Sequence, residues 1–386
     1  MKVQDLVDAM QQIAPLAYAE EWDRAGLIVG SPQRTIAGPV LLTIDLSEAV
    51  LAEALELKAG AIVAYHCPIW DPMLTMTDAT AKERIVRGAI EAGLAIYSPH
   101  TALDAAPGGV TDWLCEGLSE GSEGQIAGDC RAIKSHHQLD QNQELKVVVF
   151  VPESDVDTMR NVLGTAGAGS IGAYKVCSFS VMGTGTFFGG EGARPRVGQA
   201  GRLEKVPEHR LEMVCSRASL ALVIQTLREF HPYEEPAIDV YELHGVRDRK
   251  VGLGRRLVLD RPATVPELAR RFARHLNTDR VKYALAGSAL ADEPIRRVGV
   301  VPGAGEDLAD MASGEGCEVF VTGEMRYHAV VKALEQGVSV ILGGHTNTER
   351  GYLPRLAGRL EALLSDARFV VSSRDRDLFR MVESDD

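Results

Sequence analysis

The chain opens on MKVQDLVDAMQQIAP, where apolar residues three and four apart predict an amphipathic helix. Three nearly continuous apolar runs follow: PVLLTIDL (39–46), AIVAYHC (61–67) and LAIYSPH (94–100). They alternate with helical patterns at 47–60 and 79–93. Apolar runs of this kind between helices predict strands covered on both faces, hence α/β layers. A further helix is expected from near Gly109, carrying VTDWLCEGL. The stretch 119–144 is then polar, aperiodic and rich in Gly and Ser, which predicts a domain boundary.

The next segment has a different rhythm. ELKVVVFVP predicts a strand, SDVDTMRNVLGTAGA a helix, and YKVCSFSVMG with TGTFFGG two strands. RLEMVCS, ASLALVIQTLREF and AIDVYELHG add strand, helix and strand. This is a βαββαβ order, the ferredoxin-like pattern, with a loop rich in Gly, Arg and Pro around 189–202. From about 246 the α/β alternation returns: helix VPELARRFARHL, strands VKYALAG and RRVGVVPG, helix EDLADMAS, strand CEVFVTG. Helix EMRYHAVVKALEQG, strand VSVILGG, one long helix over 346–365 and strand RFVVSS complete it. The expected fold class is therefore α/β, a two-part core (1–130 and 246–375) interrupted by an α+β insert (145–245).

At 386 residues, with 45% apolar and 25% charged residues, the composition is that of packed globular domains. A formal charge of −13 argues against bulk nucleic-acid binding or anionic lipid as partners, while a small basic pocket could still hold a nucleotide or phosphorylated small molecule. No basic segment followed by an apolar core opens the chain, and no run approaches the ~18 apolar residues of a membrane span. Six scattered cysteines without a CxxC pair point to reduced thiols, and the chain is read as cytoplasmic.

Ligand sites in open α/β sheets lie beyond the carboxyl ends of strands. Here AIVAY runs into His66 and Cys67, and LAIYS into His100 and then Asp104. EVFVT runs into Glu324 and His328, and VSVIL into His345 and Glu349. Imidazole and carboxylate together suit Zn, Mn, Fe, Co or Ni, and a carboxylate can bridge two cations. Each residue also has a plainer reading. Glu349 fits a capping box opened by Thr346. Glu324 and His328, four apart on an expected helix, fit a surface pair. His100 fits a group that orients a neighbour, and Asp104 a turn. Adjacent His136 and His137 lie in the polar stretch, where an exposed pair is the stronger reading. GTG (183–185) and GAG (303–305) are read as tight turns, since neither completes a phosphate-binding motif. No GxSxG elbow is present.

Five segments, WDRAGLIVG (22–30), HCPIW (66–70), HTALDAAPGGVTDWL (100–114), VTGEMRYH (321–328) and GGHTNTE (343–349), occur in the order of the Nif-three-like family, which the chain resembles over both outer portions. HPYEEPAIDVYEL (231–243) and the GxGxF element at 183–187 resemble the PII- or CutA-like module inside longer members. The resemblance implies a homohexameric toroid with metal sites facing an internal cavity, and the family label GTP cyclohydrolase 1 type 2 homologue. It also implies two divalent metal ions per subunit, one on His66 and Asp104, the other on His345, with Glu349 bridging. The family carries a second histidine where this chain has Cys67. Either a thiolate replaces the imidazole, which favours Zn, or Cys67 stays protonated and His100 compensates or the second cation binds weakly. The expected activity is metal-dependent hydrolysis of a phosphate ester or a heterocyclic carbon, with Glu324 or His328 shuttling protons or contacting substrate. The rival is a metal- or metabolite-responsive binding protein working through the PII-like insert without turnover.

Overall fold

The computed structural model describes residues 1–138, 142–287 and 291–379. Chain contacts divide them into two compact units, one formed by 1–136 with the residues from 248 onward, the other by 137–247. The strands in chain order are β1 (Gly26–Val29), β2 (Val40–Thr43), β3 (Ala61–Ala64), β4 (Ala95–Ser98) and β5 (Gly128–Gln138). β6 (Leu145–Val151), β7 (Phe179–Phe188), β8 (Leu203–Cys215) and β9 (Ile238–Glu242) belong to the second unit. β10 (Val246–Ala263), β11 (Lys282–Ala284), β12 (Ile295–Val300), β13 (Val319–Thr322), β14 (Ser339–Leu342) and β15 (Phe369–Val371) follow.

The first unit holds two mixed sheets. In one, ordered β1-β4-β3-β2-β15, the last four run parallel and β1 closes the edge antiparallel. Every residue of β2, β3 and β4 is buried, so the sequence shows unbroken apolar runs rather than alternation. The other sheet, ordered β11-β14-β13-β12-β10-β5, has a parallel centre of β12, β13 and β14 with antiparallel neighbours β10 and β11. One hydrophobic cluster takes Leu42, Val63 and Tyr97 from the first sheet and Val300, Val321 and Ile341 from the second. The two parallel centres are thereby packed into one body.

Several elements depart from the sequence expectation. The polar stretch 119–144 contains β5, an edge strand with few apolar positions to betray it. β10 was hidden by its arginines. One of these, Arg255, is 1% exposed, 2.5 Å from Asp112 Oδ1, and donates to the carbonyls of Gly252 and Ala105. A short helix, His100–Ala105, precedes the expected one at Val110–Ser119. The long helix expected over 346–365 is two, Asn347–Arg350 and Leu353–Leu363. The break has a packing cause: a Cβ on Gly351 would lie 2.5 Å from the Trp113 ring, and the Tyr352 hydroxyl donates to the Gly108 carbonyl at 2.7 Å.

The second unit is a four-stranded antiparallel sheet ordered β7-β8-β6-β9. Helices Val156–Thr165 and Arg217–Phe230 connect β6 to β7 and β8 to β9. Their apolar stripes, with Leu163, Val223 and Leu227, pack on Val147, Val149 and Met213. GTG at 183–185 lies inside β7 and is no turn; a Cβ on Gly185 would sit 2.1 Å from the Glu208 carboxylate. Among the described residues no helix is long and apolar enough to cross a membrane. All six cysteines are free thiols.

Candidate metal centre

The parallel strands deliver side chains in register. Ala64 of β3 is paired with Thr43 of β2, so two residues further on His66 stands beside Asp45, its Nδ1 2.9 Å from the carboxylate. In the second sheet, Glu324 follows β13 and His345 follows β14, and they meet in the same way at 2.8 Å. His100, after β4, has its Nδ1 2.7 Å from Asp23 in the loop before β1. Three imidazoles are therefore each held through Nδ1 by a carboxylate. That arrangement fixes Nδ1 as the N–H side and leaves Nε2 as the donor to a metal.

The Nε2 atoms of His66 and His345 converge on Glu349, each 3.5 Å from a different carboxylate oxygen. Glu349 is 3% exposed, and its Oε2 has no hydrogen-bond partner. One ligand atom from each of His66, His345 and Glu349 fits within 4.8 Å, as a cation would require. The capping reading of Glu349 fails, because Thr346 makes no side-chain cap bond and the carboxylate points at the histidines. Gly303, in the GAG segment, makes room: with φ at +61°, its Cβ would fall 2.7 Å from Glu349 Oε1 and 3.2 Å from His345 Nε2.

Asp104 lies in the short helix after β4 and accepts the Tyr65 hydroxyl proton. Burial pushes its carboxyl up to about 7, partly offset by Tyr65 and by His100. Burial also raises Tyr65 well above its ordinary value, helped by Asp104. His66 feels burial in the opposite direction, but the hydrogen bond to Asp45 and the Glu349 carboxylate 3.5 Å away outweigh it and carry the imidazolium up to about 10. Burial opposes ionisation of Asp45 and Asp23 too, yet His66 and His100 hold both below the usual carboxylate range. A divalent cation would replace the His66 proton between these acids, so this nitrogen and oxygen donor set fits a metal.

The remaining candidates fall elsewhere. The Cys67 thiol donates to the Ile69 carbonyl at 3.3 Å, burial pushes its pKa up, and it stands outside the His66–His345–Glu349 group. Glu324 precedes the helix Tyr327–Glu335 instead of sharing it with His328, and it is committed to His345. His328 is exposed beside Tyr327 and does not line the cavity over the site. His136 sits in β5 against Tyr18; the side chain of His137 lies outside the described residues. The His100 ring centre is 5.5 Å from that of His66, and His100 has φ at +31°, a strained backbone held by Asp23. Asp45, Asp23 and Gly303 are the groups that sequence reasoning missed. A cavity of about 720 Å³ opens onto His66 and His345, with Arg280, Lys282 and Phe379 among its walls.

A family profile described as Duf34/NIF3 (NGG1p interacting factor 3) matches residues 1–377. The chain is 33% identical to a GTP cyclohydrolase 1 type 2 homolog of Halalkalibacterium halodurans, covering 98% of both chains. It is 31% identical to NIF3-like protein 1 of Bos taurus, over 99% of this chain and 93% of that one. A Bacillus cereus protein related to NIF3 superposes with a TM-score of 0.64 at 30% identity, covering 99% of each. A Staphylococcus aureus structure, at 23% identity, shares the fold with a TM-score of 0.75 over 99% of each.

Proposed function

Because the chain belongs to the Duf34/NIF3 family, we propose that it is a hydrolase working with two divalent cations. The observation that carries this reading is the buried, unpartnered Glu349 oxygen facing two imidazoles whose other nitrogens are each held by a carboxylate. His66 with Asp104 would hold one cation, His345 the other, and Glu349 would lie between. Carboxylate-held His100 would complete the set in place of the protonated Cys67. Cations there would lower the pKa of water and polarise the electrophile, a phosphoryl group or a heterocyclic carbon. Asp45, Asp23 and Glu324 orient the imidazoles.

A hexameric ring accompanies this reading and would sediment as six copies of 41.7 kDa. The test of function is elemental analysis followed by a nucleotide and phosphodiester panel on wild type and Glu349→Ala. Near two equivalents of metal with turnover in wild type, and loss of both in the variant, are expected. A metal-loaded wild type inert across the panel would sink the hydrolase.

A second reading has its own observation. The antiparallel order β7-β8-β6-β9 with its two helices is the ferredoxin-like arrangement, supporting a PII- or CutA-like module. That unit holds a cavity of about 500 Å³ walled by Phe150, Phe187, Glu208 and Tyr233. A metabolite bound there by the full chain, unaffected by His66→Ala and without turnover, would make this a regulatory binding protein.

A further inference from the structure

The charged groups around the 720 Å³ cavity can be assigned one at a time. Asp45 is taken by His66, and Glu324 by His345. Arg280 is taken by Asp377 at 2.9 Å and by the Phe379 carbonyl at 2.7 Å. Among the described residues two charges remain uncommitted, the exposed side chains of Lys282 and Asp279. Lys282 lies on β11 opposite Leu342 of β14, the strand that leads into His345. An ammonium in the same cavity as two metal-ligating histidines can neutralise an anionic oxygen that the cations also attract.

A strap over 372–379 brings Asp377, Leu378 and Phe379 to the cavity, and it is pinned. Glu53 accepts from the backbone N–H groups of Ser373 and Arg374 and from the Ser372 and Ser373 hydroxyls. Asp375, with its side chain 3% exposed, accepts from the Ile44 amide at 2.7 Å and pairs with Arg350 at 3.0 Å. Asp377 then meets Arg280. All this anchoring leaves Leu378 and Phe379 in the cavity wall, 80% and 77% exposed. Large apolar side chains held open beside a polar site form a contact surface for something apolar.

Resting on the hydrolase reading, we infer that this cavity takes a phosphate monoester, its phosphoryl group at Lys282 and the metal ligands and its apolar body on Phe379. Asp279 accepts from hydroxyl or N–H groups of that body. The ligand is thereby a phosphorylated compound and not a neutral heterocycle, for which Lys282 would have no partner. In the reaction, a water oxygen bonds to phosphorus as the phosphorus–oxygen ester bond breaks. One water proton ends on the departing alcohol and the other stays with the inorganic phosphate.

The experiment is titration calorimetry on the metal-loaded full chain with three probes: inorganic phosphate, phenyl phosphate and adenosine 5′-monophosphate. Wild type, Lys282→Gln and Phe379→Ala are compared, with metal content measured on the same samples. Lys282→Gln should weaken all three probes about tenfold or more at unchanged metal content. Phe379→Ala should leave inorganic phosphate unaffected and weaken the two probes that carry a ring. Phosphate binding that is absent from metal-loaded wild type, or equal in Lys282→Gln, would overturn the inference and leave the hydrolase reading standing. A protein that takes up no metal would instead remove the hydrolase reading itself. Ring-bearing probes no tighter than inorganic phosphate would overturn the role of Phe379.

Discussion

Loading the metal centre should release protons, in a number set by two groups. In the metal-free protein the His66 imidazolium loses stability to burial but gains more from Asp45 and Glu349, and its pKa stands at about 10. At pH 7.5 nearly every molecule carries that proton, and a cation cannot reach Nε2 until the proton leaves. That proton must be displaced, and the raised pKa subtracts a few kcal/mol from the intrinsic affinity for the cation. Asp104, pushed by burial to about 7, is about one-quarter protonated at pH 7.5. Together the pair should release about 1.2 protons per chain, with apparent affinity rising roughly tenfold per pH unit between pH 7.5 and 9. Calorimetric titration in buffers of different ionisation enthalpy counts these protons directly. A count near zero, with affinity flat from pH 6.5 to 8.5, would refute the reasoning. The same shifts make the metal-free fold sensitive to alkali, because both folded pKa values lie above their unfolded ones. The Asp104 contribution is whole below its unfolded value near 4 and fades as pH rises through about 7; that of His66 is whole below about 6.5 and fades through about 10. Melting temperature of the metal-free protein should therefore fall from pH 6 to 10, and bound metal should flatten that fall.

Arg255→Met should destabilise the first unit by about 3 kcal/mol in urea unfolding, since it strands Asp112 and several carbonyls that the buried guanidinium now satisfies. Cys67→Ser should leave metal content unchanged by elemental analysis, because the thiol is spent on the Ile69 carbonyl; a lost equivalent would make Cys67 a ligand after all. Gly303→Ala should cost about 1–2 kcal/mol from its positive φ and also lower metal occupancy, because the new methyl crowds Glu349 and His345. Full occupancy in that variant would count against the packing argument.

The centres of both sheets were readable because parallel strands buried on two faces leave unbroken apolar runs, as β2, β3 and β4 do. β5 and β10 were not, since an edge strand is polar and a strand that buries Arg255 disguises its inward face. His66, His345 and Glu349 were legible for a related reason: each follows the carboxyl end of an apolar run. Asp45 offered the same signal at the end of PVLLTIDL, but an aspartate after a strand stands out less than a histidine does. Asp23 offered none. It reaches His100 from a loop distant in sequence, and only the path of the chain reveals the pairing. The role of Gly303 is likewise a matter of space, which no spacing rule records.

The position of β15 beside β2 has a consequence for synthesis on the ribosome. β2, wholly apolar at its centre, pairs with β3 on one side and with the segment Phe369–Val371 on the other. At about 5–20 residues per second, β2 emerges tens of seconds before that partner. Throughout that interval one edge of a greasy strand has unsatisfied amides and carbonyls, an invitation to pair with another nascent chain. Glu349 and the strap at 372–379 arrive in the same late stretch. A chain that stalls or is cut between Glu349 and β15 would hold every residue of the candidate metal group but leave that edge of β2 unpaired.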